Sequence, residues 1–380
     1  MKALIRTEMV EKTDCQQFTD AKEADGMIPR SLKRPGSLRP GRKSALPLAL
    51  ATGMLAGTVY AGAPGQITNI FEPLSTPAES VYQSALLTLA ICAVIFLIVG
   101  GLLLYTTIRF RRRAGDDSLE PPQIYGSNQI ELAWTVIPIL IVFVLVLVTA
   151  RTTADVQNQP ALPDSLNVTV VGHQWWWEIR YPELGIVTAN ELHVPVSDAA
   201  KRKLTFLRLE SADVAHSFWV PQLAGKTDLI PNRVNVMWIE PKQVGTYLGN
   251  CAEYCGTQHA RMLVRVIAHE PEDFARWAAA QQETGVEEPR VKDGRQLFFA
   301  TSCINCHAIR GTVAKGRFGP DLTHLMSRDT LASGAARNTP EKLRGWMRNP
   351  QTIKDGALMP DMKLSDEELD HITAYLQTLK

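Results

Sequence analysis

The sequence predicts a multidomain chain: a hairpin of two membrane-spanning helices, an all-β domain of about 100 residues, and an all-helical domain at the C-terminus. Three observations predict it. At 380 residues the chain is too long for one ordinary domain, the usual range suggesting two or three. Its apolar residues are concentrated in two long runs within the first 150 or so positions. After those runs the pattern changes from short β-type stretches to helical periodicity. The formal net charge of +1 gives no argument for nucleic acid as a partner.

Residues 1–63 read as an N-terminal extension and signal peptide. Arg42 and Lys43 precede an apolar run from Ala45 to Val59, followed by Tyr60-Ala61-Gly62-Ala63. A basic region, an apolar stretch and a small-residue cleavage site make a secretory signal. The polar stretch before it is long for such a signal, which makes Met27 a candidate start.

Residues 64–160 hold the expected hairpin, with helices at about 84–108 and 132–150. Each run approaches the roughly 20 residues that cross a bilayer as a helix. Pro138 is expected in the first turns of the second helix, where its missing donor costs least. The loop between them carries Arg109-Phe110-Arg111-Arg112-Arg113, and such a basic cluster stays on the cytoplasmic side. Both outer ends of the hairpin, and everything after Arg151, then lie outside the cytoplasm. The signal peptide predicts the same orientation independently.

Residues 161–270 form the expected β domain, with strands at Asn167–Val171, Leu204–Leu209, Asn235–Ile239 and Met262–Ile267 and Pro and Gly between them. Strands at this spacing suggest a sandwich or barrel. Residues 271–290 are charged and read as a linker, with a short helix around Phe274–Ala280. Residues 291–380 are helical in pattern over Asp293–Ala300, Pro340–Arg348 and Ser365–Leu379. The last opens with Ser365-Asp366-Glu367-Glu368, a capping box.

Of the six cysteines, Cys15 lies in the N-terminal extension and Cys92 is a small apolar residue in a helix. The others form two tight pairs, Cys251/Cys255 and Cys303/Cys306, each with a nearby histidine (His259 and His307). Disulfides are one reading in an exported protein; the histidines favour metal and haem.

Cys251, Cys255, His259 and Met262 put two thiolates, an imidazole and a thioether within one short segment, and His216, in a loop after a strand, could supply a second imidazole. Soft sulfur with imidazole selects copper or zinc. A structural zinc site has no use for Met262, and a mononuclear blue-copper site needs one cysteine. Two bridging thiolates with one imidazole each fit a pair of copper ions sharing one electron.

Cys303-Ile304-Asn305-Cys306-His307 is a c-type haem attachment motif, with thioether bonds at Cys303 and Cys306 and His307 as an axial ligand. A redox-active Cys pair is the alternative, which the adjoining histidine disfavours. The second axial ligand should be a methionine, from Met326, Met347, Met359 and Met362.

These motifs resemble the CuA domain of cytochrome c oxidase subunit II followed by a bacterial class I cytochrome c, as in the caa-type oxidases. The stretch His216 to Arg233 (HSFWVPQLAGKTDLIPNR) and the pattern Cys-x-Glu-x-Cys-x-x-x-His-x-x-Met from Cys251 to Met262 carry the first likeness. It implies a cupredoxin-like Greek-key barrel in which Cys251 and Cys255 bridge two copper ions. His216 and His259 each bind one, and Met262 and the Glu253 backbone carbonyl are weak axial ligands. The Glu253 side chain would reach a magnesium ion at the subunit I interface.

Gly172-His173-Gln174-Trp175-Trp176-Trp177 resembles the family's aromatic segment. The likeness makes Trp175 the residue through which electrons reach the copper pair and leaves Trp176 and Trp177 to packing; on chemistry alone, core and rim packing is an equally good reading of all three. Glu131 and Trp134 resemble a family pattern that puts Glu131 at the mouth of a proton channel in subunit I; a carboxylate reaching for interfacial water is the plainer reading. Gly356-Ala357-Leu358-Met359-Pro360 resembles the ligand loop of class I cytochromes c, so Met359 is the expected haem ligand, and Gly319-Pro320 matches the loop behind the proximal histidine. His173, His193, His269, His324 and His371 read as core or surface residues.

The resemblance implies an electron-input subunit in a bacterial inner membrane. It would take electrons from a mobile cytochrome c or an upstream respiratory complex and pass them from haem c to CuA. From there they would go to the haem of subunit I, where O2 is reduced and protons are pumped. Subunit I, subunit III and membrane lipid are the expected partners. Two alternatives remain at this stage: the CuA-bearing subunit of a nitric oxide reductase, and a copper-storage or assembly protein.

Overall fold

The computed structural model describes residues 69–111, 123, 125–158, 162, 164–197, 202–284 and 289–380. The expected N-terminal extension and signal peptide, with Met27 and Cys15, and Arg112 and Arg113 of the basic loop lie outside these residues.

Helix α1 spans Thr76–Arg109 and α2 spans Asn128–Gln157. Both are long and apolar enough to cross a membrane, and both exceed the apolar runs that predict them. At ~1.5 Å per residue they are about 50 and 45 Å long, so each has turns to spare beyond a bilayer core of about 30 Å. Pro138 therefore sits inside α2 rather than in its first turns, because the helix begins earlier, among polar residues that hydropathy does not mark. The Ser84 and Thr152 hydroxyls meet at 2.6 Å between the two helices.

The spare turns join the hairpin to the β domain. Ser75 Oγ accepts from the Glu240 backbone N–H at 2.9 Å, and Thr76 Oγ1 donates to Glu240 Oε2 at 2.6 Å. From the other helix, the Val156 carbonyl accepts from Trp238 Nε1 at 2.8 Å. Burial pushes the Glu240 carboxyl up, but hydrogen bonds from Arg202, Thr76 and Ser197 outweigh it and hold the group below its usual range.

Ten strands follow: β1 (Leu166–His173), β2 (Trp176–Tyr181), β3 (Ile186–Ala189), β4 (Glu191–Pro195), β5 (Thr205–Ser211), β6 (His216–Trp219), β7 (Thr227–Leu229), β8 (Asn235–Ile239), β9 (Gly245–Cys251) and β10 (Leu263–His269). They form two five-stranded sheets, ordered β3-β2-β1-β5-β8 and β4-β10-β9-β6-β7. β1 runs parallel to β5 and β10 parallel to β4, and the other pairs are antiparallel. The chain crosses between sheets at Asn190, in the left-handed region at φ 65°, where its side chain accepts from the Trp177 N–H at 2.9 Å. The core between the sheets includes Val170, Trp177, Ile179, Leu207, Leu209, Phe218 and Val266.

Two local readings change. His216 begins strand β6 instead of opening a loop, since β6 is only 4 residues long and too short for alternation to reveal it. The short helix expected in the linking segment is present as α3 (Pro271–Gln282), but it is longer than expected and docked on the β domain. Trp277 of that helix stacks on His193 with ring centroids 4.2 Å apart, and Phe274 and Trp277 pack against the β core.

The C-terminal domain contains α4 (Lys292–Ala300), α5 (Cys303–Cys306), α6 (Pro340–Arg348) and α7 (Asp366–Leu376), with a small hairpin of β11 (Thr330–Leu331) and β12 (Ala336–Arg337). Helices α4 and α7 cross at Gly294, where an added Cβ would fall 1.9 Å from the His371 carbonyl oxygen. Only glycine permits that approach. Phe298, Leu343, Ile372 and Tyr375 fill the core beside it. The expected capping box of α7 is present, with Ser365 N–H donating to Glu368 Oε2 at 2.8 Å.

Candidate metal and haem centres

The copper-type cluster forms where β6, β9 and the loop after β9 meet under the core. Cys251 ends β9 beside Phe218 of β6, which brings His216 to it from far upstream in sequence. The Cys251 and Cys255 sulfurs are 3.8 Å apart. His216 Nδ1 is 4.0 Å from Cys251 Sγ, and His259 Nδ1 is 3.7 Å from Cys255 Sγ. Met262 Sδ lies 3.9 Å from Cys255 Sγ, and the Glu253 carbonyl oxygen 3.1 Å from Cys251 Sγ. His216, Cys251, Cys255 and Met262 are all buried, His216 fully at 0 % exposure.

These distances test the fit to a metal. A disulfide would bring the sulfurs to about 2.05 Å, so the pair is not bridged directly. Thiolate and imidazole bonds to a transition metal are about 2.0–2.3 Å, so an ion between two such atoms separates them by the spacing observed. Soft sulfur, two imidazoles and a thioether are the donors that suit copper.

The electrostatics agree. The two thiols titrate as a pair: the hydrogen bond between them pulls Cys251 well below the usual thiol range, and the same hydrogen bond, with burial and the Cys251 charge behind it, drives Cys255 up. Without a cation the pocket holds one negative sulfur readily and resists a second.

A second tier of residues orients the ligands. His216 Nε2 is 2.8 Å from Asp213 Oδ1, so it donates there and its Nδ1 lone pair faces the sulfurs. Burial works against a proton on His216, but Asp213 and Cys251 outweigh it and raise its pKa. Gln174 donates its backbone N–H to Asp213 at 2.7 Å and its side-chain amide to the Cys255 carbonyl at 2.8 Å. Sequence reasoning missed Asp213 and Gln174; a carboxylate three residues before a ligand histidine was the available signal.

Trp175 lies against this loop. Its indole N–H donates to the Cys255 carbonyl at 3.0 Å, and its ring passes so close to Gly256 that an added Cβ there would sit 3.1 Å from it. Trp177 is core at 0 % exposure, and Trp176 stacks on His173 at 4.3 Å. His193 and His269 meet at 2.8 Å beneath Trp277. The Glu253 carboxylate points outward, half exposed, with Lys226 Nζ at 3.9 Å. Glu131 stands apart from this cluster, exposed in the first turn of α2.

The haem-type centre is more local. Cys303 and Cys306 open and close α5, both are free thiols, and His307 caps the helix. His307 Nδ1 donates to the Pro320 carbonyl at 2.8 Å, leaving Nε2 as the free lone pair for iron. Burial pushes the imidazole pKa down, keeping it neutral. Gly319 fits behind the ring, where an added Cβ would meet His307 Cε1 at 2.6 Å. Two free thiols at this spacing, a neutral and oriented imidazole and a close-packed glycine behind it fit a covalently attached haem. Of the methionines, Met347 is in the core, and Met326 and Met359 pack at its edge with Cys303.

The two centres occupy one compact unit, and the domains carrying them are bonded together. Glu191 of β4, 1 % exposed, accepts from the backbone N–H groups of Asp329 and Thr330 at 3.0 and 2.9 Å and from the Thr330 hydroxyl at 2.8 Å. Ser333 donates to the Leu263 carbonyl at 2.8 Å. Arg310 reaches the Gly185 carbonyl at 2.6 Å. Lys354, on the loop leading to Met359, donates to the Trp175 carbonyl at 2.7 Å and the Ala332 carbonyl at 3.1 Å.

Known proteins match the chain along its length. Residues 66–151 match the transmembrane domain of cytochrome c oxidase subunit II, 166–269 its periplasmic domain, and 291–380 the cytochrome c family. Cytochrome c oxidase subunit 2 of Alkalihalophilus pseudofirmus is 35% identical over 343 residues, covering 88% of this chain and 96% of the relative. That of Bacillus subtilis is 31% identical, with the same coverage of 88% and 96%. Among solved structures, the periplasmic domain of subunit II of the Bradyrhizobium japonicum cytochrome oxidase is 29% identical, covers 32% of this chain and 96% of its own, and has a TM-score of 0.30. With two membrane-type helices, a copper-type cluster in a β domain and a haem attachment site on a helical one, the chain belongs to the cytochrome c oxidase subunit II family.

Proposed function

We propose that this chain is the electron-input subunit of a haem-copper terminal oxidase, passing electrons from a covalent haem c to a CuA pair and on to subunit I, where O2 is reduced to water and protons are pumped. The observation that carries this reading is the joining of the two centres: Trp175 is bonded through its indole to the copper-ligand loop and through its carbonyl to the haem domain. When bound, the haem and the copper pair supply reversible one-electron chemistry at the two ends of that contact.

The protein's own residues do the rest. Cys251, Cys255, His216 and His259 would hold the copper pair as its strong thiolate and imidazole donors, with the Met262 thioether and the Glu253 carbonyl as weak ones. Asp213 holds the His216 tautomer, and burial of His216, Cys251, Cys255 and Met262 limits rearrangement of solvent as charge moves. Cys303 and Cys306 would attach the haem, and His307 and Met359 would hold its iron. Met359 is preferred to Met362 because it packs at the edge of the haem-domain core. A thioether opposite imidazole raises the haem potential. Tethering the donor domain to its acceptor replaces a diffusional encounter by a fixed, high effective concentration.

The exposed Glu253 carboxylate suits a magnesium ion at the subunit I interface. Glu131 suits the mouth of a proton channel in that subunit. The hairpin crosses a bacterial inner membrane twice with its basic loop inside, and both redox domains lie on the outer side. Electrons arrive from a mobile cytochrome c or an upstream respiratory complex, and subunit III and lipid complete the surroundings.

The test is purification of the complex that carries this chain. Its absorption spectrum should contain haem c, CuA and subunit I haem bands, and it should consume O2 rather than nitric oxide. A complex that turns over nitric oxide alone, or a chain that binds copper without a mixed-valence EPR signal, would refute the reading.

A further inference from the structure

Lys354 is an unusual residue to find between two domains. It is 3 % exposed, and its ammonium donates to two carbonyl oxygens, one on Trp175 and one on Ala332 of the haem domain's own hairpin. No carboxylate among the described residues pairs with it. Burial pushes its pKa down to about 7, a measure of how unfavourable a charge is there. An apolar side chain of similar length would fill the space at less cost, so adhesion alone does not explain a lysine.

The bonds around it explain more. From the copper side, the Cys255 carbonyl accepts from the Trp175 indole, and the Trp175 carbonyl accepts from Lys354. On either side of Lys354 the same loop touches the copper-ligand segment. Arg261 donates to the Ile353 carbonyl at 3.2 Å. At Gly356, with φ 81°, an added Cβ would lie 3.0 Å from Thr257. The contacts converge on the loop that ends in Met359.

We propose that Lys354 is a positioning residue for internal electron transfer: its ammonium pins the Met359 loop to the backbone of Trp175 and fixes the haem domain against the copper centre in one geometry. This rests on the relay through Trp175 and the Met359 ligation proposed above. Other contacts, such as those of Glu191, hold the domains together without touching Trp175.

The experiment compares Lys354→Met and Glu191→Gln in the assembled oxidase. After rapid photoreduction of haem c, the haem-to-copper phase should slow on the order of 10-fold or more in Lys354→Met, as small misplacements of reacting groups do, with haem and copper spectra unchanged. Glu191→Gln should stay within about two-fold, since it leaves the reacting groups where they were. In the purified chain, hydrogen exchange over residues 349–362 should rise in Lys354→Met and not in Glu191→Gln. An unchanged rate or unchanged exchange in Lys354→Met overturns the proposal, as does equal slowing in both variants. If Lys354→Met fails to assemble, Lys354→Gln, which keeps a shorter donor, is read by the same two measurements. Absence of a haem-to-copper phase in the unaltered complex would instead sink the relay, and the role of Lys354 with it.

Discussion

In the β domain the proposed copper ligands come from separate stretches of chain, and strand pairing brings them together: His216 from β6, Cys251 from the end of β9, and Cys255, His259 and Met262 from the segment that follows. His216, Cys251, Cys255 and Met262 are buried, three of them as part of the core between the sheets, and His259 is partly buried at its edge. In the helical domain Cys303 and Cys306 lie on a helix of 4 residues, and His307, next in sequence, caps it. There Cys303, Ile304, Met326 and Met359 are only partly buried at the core's edge, where the haem itself would complete the packing. One centre is assembled by the fold, and the other helps to assemble it. Loss of the group should therefore be a local event in the first domain and a global one in the second.

The largest effect tests the second half of that contrast. Cys303→Ala with Cys306→Ala should abolish covalent haem entirely, removing haem staining on a denaturing gel. The C-terminal domain should become protease-sensitive while the β domain remains resistant. A protease-resistant C-terminal domain without haem would break the comparison.

Cys255→Ser tests the first half. The mixed-valence copper EPR signal should vanish, yet thermal unfolding of the β domain should shift by only about 1–3 kcal/mol, the cost of one poorly satisfied buried polar group. Collapse of the domain would mean that the metal organises this core too.

Asp213→Asn sharpens the picture of a preformed site. It weakens the grip on His216 without removing a ligand, so copper affinity measured by chelator competition should fall about 10–100-fold. Unchanged affinity would mean that packing alone orients the imidazole.

The smallest effect is a pH dependence of the β domain with no metal involved. Glu178 is buried, which pushes its carboxyl up, but hydrogen bonds from His173 and Arg180 prevail and bring it down to about 2. A carboxylate with a depressed folded-state pKa stabilises the domain above its unfolded value near 4.5 and loses that contribution as pH falls toward 2. The melting temperature should fall over that window, and Glu178→Gln should flatten the fall. A variant with the same acid profile as the parent would remove Glu178 from the account.

Legibility in the sequence followed the range of the interactions. The proposed haem attachment site stands out because its residues are contiguous, and α6 was bounded correctly because Pro340 and its flanking residues punctuate it. The copper segment was half readable: Cys251 to Met262 lie within one stretch, but His216 joins them only through a long-range strand pair, and family likeness supplied it. Short strands such as β6 and β7 escaped because a few residues carry no period. Asp213 and Lys354 escaped for a different reason. Nothing local distinguishes a buried lysine in a loop from a solvated one; only the docking of another domain removes its water.

Trp238 and Glu240 lie at one end of β8, and the two membrane helices are bonded to them separately, α2 through Val156 and α1 through Ser75 and Thr76. A body held at one point can swivel, whereas one held at two has lost that freedom. A tilt of either helix should therefore be passed to the β domain, which cannot turn about one attachment without straining the other.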